Sequence, residues 1–148
     1  MTTISDNSRM TWLSRPHWRI ASINTLWCLL GCSIGDFGTI LFFQLTAIPW
    51  STLAIMTLAI INGILTSILL ETLILFRQMA LKHAFQTAIG MSLVSMLSME
   101  IAMNATDVLL TGEARLTPTV IPIMLLAGFL TPLPYNYWRL IRYGKACH

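Results

Sequence analysis

Four polar residues recur at intervals of four in an otherwise apolar stretch of this chain: Asn24, Cys28, Cys32 and Asp36. Residues at this spacing lie on one face of an α-helix, with neighbouring Cβ atoms about 5–6 Å apart. Two thiols at that separation can bind one metal ion, and sulfur ligands are soft ligands that prefer Cu(I). The first chemistry that the sequence indicates is therefore the binding of a soft metal ion by Cys28 and Cys32.

A second group of polar residues is Asp36, Glu100 and Asn104. Asp36 and Glu100 each lie sixteen residues after the start of a long apolar segment, and Asn104 follows Glu100 by one helical turn. If both segments cross a membrane in the same direction, the two carboxyl groups lie at the same depth. A charged side chain at that depth costs at least about 2.5 kcal/mol, and such residues typically mark ion or proton sites. We expect these three residues to bind protons or ions.

Further sulfur and imidazole groups extend the candidate metal site. Met96, Met99 and Met103 flank Glu100, and the chain ends with Cys147 and His148, which could accept a metal ion on the cytoplasmic side. The alternative interpretation is that the thiols and thioethers only fill space as apolar side chains. Two small residues beside the cysteines, Gly31 and Gly35, have the spacing at which membrane helices pack closely.

The elements that must position these residues are long apolar helices. The chain has 148 residues, 55% of them hydrophobic and 10% charged, with a mean hydropathy of +0.71. Each of its four apolar segments exceeds the roughly 20 residues that a helix needs to cross a bilayer; they are residues 20–45, 51–76, 84–110 and 118–138. We therefore predict an all-α polytopic membrane protein. Its four-transmembrane-helix bundle occupies residues 20–138, between a cytoplasmic segment 1–19 and a basic cytoplasmic tail 139–148.

The basic residues predict the orientation of the bundle. Eight of the nine lysines and arginines lie before the first segment, between the second and third, or after the fourth, and only Arg115 lies elsewhere. Because cytoplasmic loops are enriched in basic residues, both termini are predicted to be cytoplasmic. We expect the side chain of Glu71 to extend toward Arg77 or Lys82 at the cytoplasmic surface. This topology accounts for the net charge of +3 without a nucleic-acid partner.

The segment Cys28-Leu29-Leu30-Gly31-Cys32-Ser33-Ile34-Gly35-Asp36 resembles the signature of a family of small bacterial membrane proteins known only as a domain of unknown function. Further resemblances are Met99-Glu100 in the third segment, Asn104, and the basic end at residues 144–148. The resemblance covers residues 27–148 and implies a four-helix membrane domain. Related domains joined to copper-oxidase-like proteins imply a soft metal. The chain has Trp27 and Ser92 where the family often has a histidine and an aspartate.

The leading functional hypothesis is an inner-membrane protein that handles a soft metal ion, copper first, or couples ion movement to protons through its intramembrane carboxylates. The alternative is a non-catalytic assembly or interaction subunit, which uses Gly31 and Gly35 to dock against a larger membrane complex. The sequence contains no nucleophile–base set and no phosphate-binding loop, so we assign no catalytic residue. The expected partners are the lipid bilayer and further copies of the chain, and the expected bound group is Cu(I) or another soft metal.

Overall fold

A computed structural model of the chain describes residues 15–77 and 79–143. Within these residues the chain is all-α, and the described part contains no strand. Five helices follow one another along it: α1 (Arg15–Thr46), α2 (Thr52–Phe76), α3 (Leu81–Thr111), α4 (Ile121–Leu130) and α5 (Leu133–Tyr143). The all-α class predicted from composition is therefore confirmed.

Local side-chain and backbone chemistry determines where α2 begins and α3 ends. The hydroxyl oxygen of Ser51 accepts a hydrogen bond from the backbone N–H of Ala54 at 3.3 Å and so caps the first turn of α2. At the end of α3, Gly112 has a φ of 79°, and its N–H donates to the carbonyl oxygen of Val108 at 2.8 Å. Glycine adopts this left-handed conformation without a steric cost, so α3 stops there.

Three helices are long and apolar enough to cross a membrane: His17–Thr46, Thr52–Phe76 and Ser92–Thr111. Their outward faces carry large apolar side chains, including Leu45, Leu53 and Leu109, which are 74–84% exposed. Their inward faces carry polar side chains such as those of Asp36 and Glu100, which are fully buried. Apolar residues outside and polar residues inside are the arrangement expected for a bundle surrounded by lipid.

The fourth predicted span, residues 118–138, is not one continuous helix. It is divided between α4, with 10 residues, and α5, with 11 residues, and neither reaches the roughly 20 residues that a spanning helix needs. One proline explains the interruption. Pro132 has no N–H group to continue the hydrogen bonds of α4, and its ring would clash with the carbonyl group four residues earlier in a continuous helix. Pro134 lies in the first turn of α5, where a missing N–H group costs nothing.

The helices pack so that α5 lies beside the beginning of α1. The ring of Tyr137 on α5 stacks on the ring of Trp18 with centroids 3.8 Å apart, and Tyr137 and Leu140 are buried with Ala21. Farther along, α4 packs against α3, because Gly128 of α4 lies against the side chain of Met103. The chain therefore returns, through α4 and α5, to the end of the bundle at which α1 starts. We call this the inner end.

Candidate functional site in the bundle interior

Gly31, between the cysteines, and Gly35, after the second one, lie where α1 and α2 make a close approach. A Cβ atom on Gly31 would lie 2.6 Å from the Cα atom of Ser67, and one on Gly35 would overlap the carbonyl group of Asn62. The hydroxyl group of Thr66 donates to the carbonyl oxygen of Gly31 at 2.7 Å across this contact. Gly31 and Gly35 thus pack against a helix of their own chain.

The first cysteine contacts a buried glutamate. The thiol of Cys28 donates a hydrogen bond to Oε1 of Glu71 at 2.6 Å, and both residues are at most 1% exposed. The sequence-based prediction that Glu71 extends to Arg77 or Lys82 at the surface is wrong. The reason is its helical register, since Glu71 follows Ala59, Gly63 and Ser67 on the face of α2 that packs inward. This regular spacing of small residues could have indicated its burial.

The second cysteine contacts another glutamate, one level farther from the inner end. The thiol of Cys32 interacts with the carboxyl group of Glu100 and with the hydroxyl group of Ser67. Glu100 fits there because the residue facing it on α2 is Gly63, where even a Cβ atom would overlap Oε1 of Glu100. Cys28 and Cys32 therefore each lie beside a different buried carboxyl group.

Asp36, Glu100 and Asn104 meet in the centre of the bundle, and we call these three residues the acidic cluster. The side-chain amide of Asn104 donates to Oδ1 of Asp36 at 2.9 Å and to the backbone oxygen of Glu100 at 3.1 Å. The carboxyl groups of Asp36 and Glu100 are close enough to interact electrostatically. The structure thus brings together α1 and α3 residues that the sequence predicted to lie at one depth.

The acidic cluster is rich in oxygen atoms that lack hydrogen-bond donors. Within the described part of the chain, four of its buried oxygens have no hydrogen-bond partner: Oδ2 of Asp36, both carboxyl oxygens of Glu100, and Oδ1 of Asn104. The thiol of Cys32 interacts with Glu100 without forming a well-aligned hydrogen bond. Buried acceptors without donors are costly, and a proton or a cation is what such oxygens bind.

The polar interior continues toward the outer end of the bundle through Asp107. This residue is 1% exposed, and its Oδ2 accepts a hydrogen bond from the backbone N–H of Arg115 at 2.9 Å. The guanidinium group of Arg115 instead lies 3.5 Å from the exposed Glu113. Carboxyl groups of Glu71, Glu100, Asp36 and Asp107 thus follow one another from the inner to the outer part of the interior.

Six sulfur-bearing side chains also belong to one packed core, and we call them the sulfur cluster. Each of them is at most 1% exposed, and they come from α1, α3 and α4: Cys28, Cys32, Met96, Met99, Met103 and Met124. Sequence reasoning identified the first five and missed Met124. The depth of Met124 in the bundle depends on where the helix of the fourth segment is interrupted. Its distance in sequence from the cysteines therefore does not predict that it lies beside them.

The remaining candidate ligands, Cys147 and His148, lie outside the described residues. Within the described part, no group of three or more histidine, cysteine, aspartate or glutamate side chains is arranged to hold a metal ion. A soft metal ion held by the two thiols would therefore need further ligands, and methionine sulfur is the soft ligand available beside them. The sulfur cluster offers four thioethers for this purpose.

A comparison with protein-family models matches residues 17–145 to a family described as Domain of unknown function (DUF4396). The chain belongs to this DUF4396 family. The match agrees with the predicted membership of an uncharacterised family and contains every residue of the acidic and sulfur clusters. A search of curated proteins found no match, and a search of solved structures found none either.

Proposed function

We propose that the protein is a four-pass carrier in the bacterial inner membrane that binds a soft metal ion, Cu(I) first, and moves it through the bundle interior. The observation that carries this proposal is the position of Cys32. Its side chain belongs to the sulfur cluster and also contacts Glu100 of the acidic cluster. Soft ligands and groups that exchange protons or ions are therefore adjacent in one closed interior.

The donor set determines the choice of metal. Thiolates and thioethers favour Cu(I), whereas carboxylates alone favour harder cations. Thioethers are neutral ligands, so a monovalent ion in the sulfur cluster brings one positive charge into a region lined by acidic side chains. Glu71 and Glu100 lie beside the two thiols and are placed to compensate that charge. The metal is the cargo in this proposal.

The path of α4 and α5 supports the four-pass arrangement. Neither helix spans a membrane alone, but together they lead from the outer end of α3 to the beginning of α1. Both ends of the described chain then lie on the same side of the membrane. The basic residues Arg19, Arg139 and Arg142 at that end make this side cytoplasmic.

Metal uptake by a double cysteine variant tests the proposal. The purified protein is expected to bind Cu(I) with a near-integral stoichiometry per chain. Cys28→Ser with Cys32→Ser removes both thiols at nearly constant volume, and serine is a poor ligand for Cu(I), so uptake should be lost. Met56→Leu changes a sulfur-bearing side chain outside the sulfur cluster, so it is the control and should bind the metal normally. Uptake that is unchanged in the double variant would show that the thiols are packing residues.

A second candidate function is proton movement along the row of buried carboxyl groups. Four acidic side chains at most 1% exposed, from three helices, favour it: Asp36, Glu71, Glu100 and Asp107. Proton flux into liposomes that contain the protein should fall when Asp36→Asn or Glu100→Gln removes a group that exchanges protons. Glu113→Gln changes an exposed acidic residue and is the control. Flux that is equal in all variants would exclude this function.

A non-catalytic subunit of a larger membrane complex is the alternative if neither ion is moved. Gly31 and Gly35, which the sequence suggested as the docking surface, are occupied by α2. A partner would therefore have to bind another face of the bundle. Cross-linking in native membranes, followed by mass determination, distinguishes a homo-oligomer from a complex with other chains.

A further inference from the structure

The outer end of the interior is closed by the segment between α3 and α4. The side chain of Gln44, near the end of α1, accepts a hydrogen bond from the N–H of Leu116 at 3.1 Å and donates to its carbonyl oxygen at 3.4 Å. The side chain of Leu116 packs against the core that contains the sulfur cluster. We call the Gln44–Leu116 pair the outer latch, because it holds Leu116 over that core.

The inner end is closed by α5. The side-chain amide of Asn136 donates to the hydroxyl oxygen of Thr25 at 2.9 Å, and this buried bond joins α5 to α1. Thr25 lies three residues before Cys28, so the contact is one helical turn from the first thiol. We call the Asn136–Thr25 pair the inner latch. The break at Thr131 and Pro132 separates α5 from α4, so α5 can change its angle without unwinding α4.

Both thiols are closed off from solvent between these two contacts. Cys28 is 1% exposed and Cys32 is fully buried. A carrier must expose its site to one side of the membrane and then to the other, usually by movement of one part of the bundle against the rest. A structure with both ends closed corresponds to the step between these two states.

We propose that this structure is the occluded state of the carrier, and that the outer and inner latches open alternately to opposite sides of the membrane. This inference rests on the proposed carrier function. The centre of the bundle is unsuited to such movement, because Gly31 and Gly35 hold α1 directly against the backbone of α2. Each latch, in contrast, consists of one or two hydrogen bonds from a single side chain, and the stacked rings of Trp18 and Tyr137 beside the inner latch join side chains and leave the helix backbones apart.

Thiol labelling from each side of the membrane tests the proposal without any metal ion. The chain has three cysteines, so the Cys147→Ser protein retains only Cys28 and Cys32 as reporters. Inside-out and right-side-out vesicles are treated with a charged maleimide that cannot cross the membrane. The labelling rate on each side then measures how often that end of the bundle opens.

Breaking one latch should raise labelling from one side only. Loss of one or two hydrogen bonds changes the ratio of open to closed states by about tenfold. Gln44→Leu should produce this increase from the outer side, and Asn136→Leu should produce it from the inner side. If Gln44→Leu does not give a monodisperse protein, Gln44→Met breaks the same outer latch. If Asn136→Leu does not, Thr25→Val breaks the same inner latch.

Two threonine variants are matched controls. The hydroxyl groups of Thr46 and Thr57 donate to the carbonyl oxygens of Phe42 and Leu53, one turn earlier in the chain. Thr46→Val and Thr57→Val should therefore leave both labelling rates unchanged. Latch variants with unchanged rates, or with equal increases from both sides, would overturn the proposal. One-sided labelling without Cu(I) uptake would support the two latches and contradict Cu(I) as the cargo. Cu(I) uptake without one-sided labelling would support the metal and contradict the latches.

Discussion

Gly63 of α2 lies directly against the carboxyl group of Glu100 of α3, with no space for a side chain between them. A Cβ atom at position 63 would overlap Oε1 of Glu100, and would lie 2.6 Å from its Cδ atom and 3.0 Å from the carbonyl oxygen of Cys32. The Cys32 oxygen belongs to the backbone of α1 and cannot move without shifting that helix. Glycine at position 63 is therefore the condition under which Glu100 can point into the bundle.

Gly63→Ala should destabilise the protein, because the added methyl group has no room. The expected loss in the free energy of unfolding is about 1–3 kcal/mol, the usual cost of overpacking a buried site. Melting temperatures in detergent measure the effect. Gly38→Ala is the control, since a Cβ atom at position 38 would have no neighbour within 4 Å. Combining Gly63→Ala with Glu100→Ala should recover part of the loss, and a purely additive result would contradict the contact.

Glu71→Lys should prevent the protein from accumulating in a folded form, because it places an amine where a buried carboxyl group accepts the Cys28 thiol hydrogen. A buried charge without a partner costs several kcal/mol. Glu71→Gln keeps an oxygen that can accept this hydrogen bond and should be tolerated. Yield and elution profile in detergent measure both variants, with Glu113→Lys as the exposed control. Normal folding of the Glu71→Lys protein would show that residue 71 reaches the surface.

The interior of α1 and α3 could be predicted from the sequence because helical geometry fixes relative depth. Asp36 and Glu100 lie at equal distances from the starts of their segments, and Asn104 does bridge them. The partners on α2 could not be predicted in this way. Which α2 residues face Cys28 and Cys32 depends on the axial position of α2 relative to α1. That position is determined by the contacts of Gly31 and Gly35.

For the fourth apolar segment, the sequence predicts the apolar composition but not the division into two short helices. Its apolar character and its prolines are visible in the sequence, but hydropathy does not reveal whether a proline bends a helix or divides it. Division at Pro132 places Met124 in the sulfur cluster and Asn136 beside Thr25. Both contacts arise from the angle between α4 and α5, which no sequence spacing specifies.

Replacing cluster methionines by leucine should weaken Cu(I) binding if their thioethers are ligands. Leucine has a similar volume but no sulfur, so Met99→Leu or Met124→Leu should preserve the fold and raise the dissociation constant at least about tenfold, or ~1.4 kcal/mol. Met56→Leu lies outside the sulfur cluster and is the control. Competition against a Cu(I) chelator measures the constants. Equal Cu(I) affinities for all three variants would show that Met99 and Met124 are not ligands of the metal.

Reporter fusions should place both termini and the loop at residues 77–83 in the cytoplasm, with Pro49 and Glu113 outside. The reason is the concentration of basic residues at one end of the bundle. Fusions after residues 49, 80, 113 and 148 sample each side of the membrane in turn. An external carboxyl terminus would mean that α4 and α5 do not return through the bilayer, and would also remove the inner latch from the cytoplasmic side.

The division of the last apolar segment also has a consequence for how the protein is made. A helix of 10 residues such as α4 has about half the length that a bilayer-spanning segment needs. It is therefore too short for the insertion machinery to treat as an independent segment, and its free backbone groups at the break require protein neighbours. In the proposed four-pass arrangement, α1 to α3 must already be assembled in the bilayer before α4 and α5 can enter. Membrane integration would then depend on tertiary assembly at its final step, and truncations within residues 121–143 should leave an inserted but incomplete three-helix intermediate.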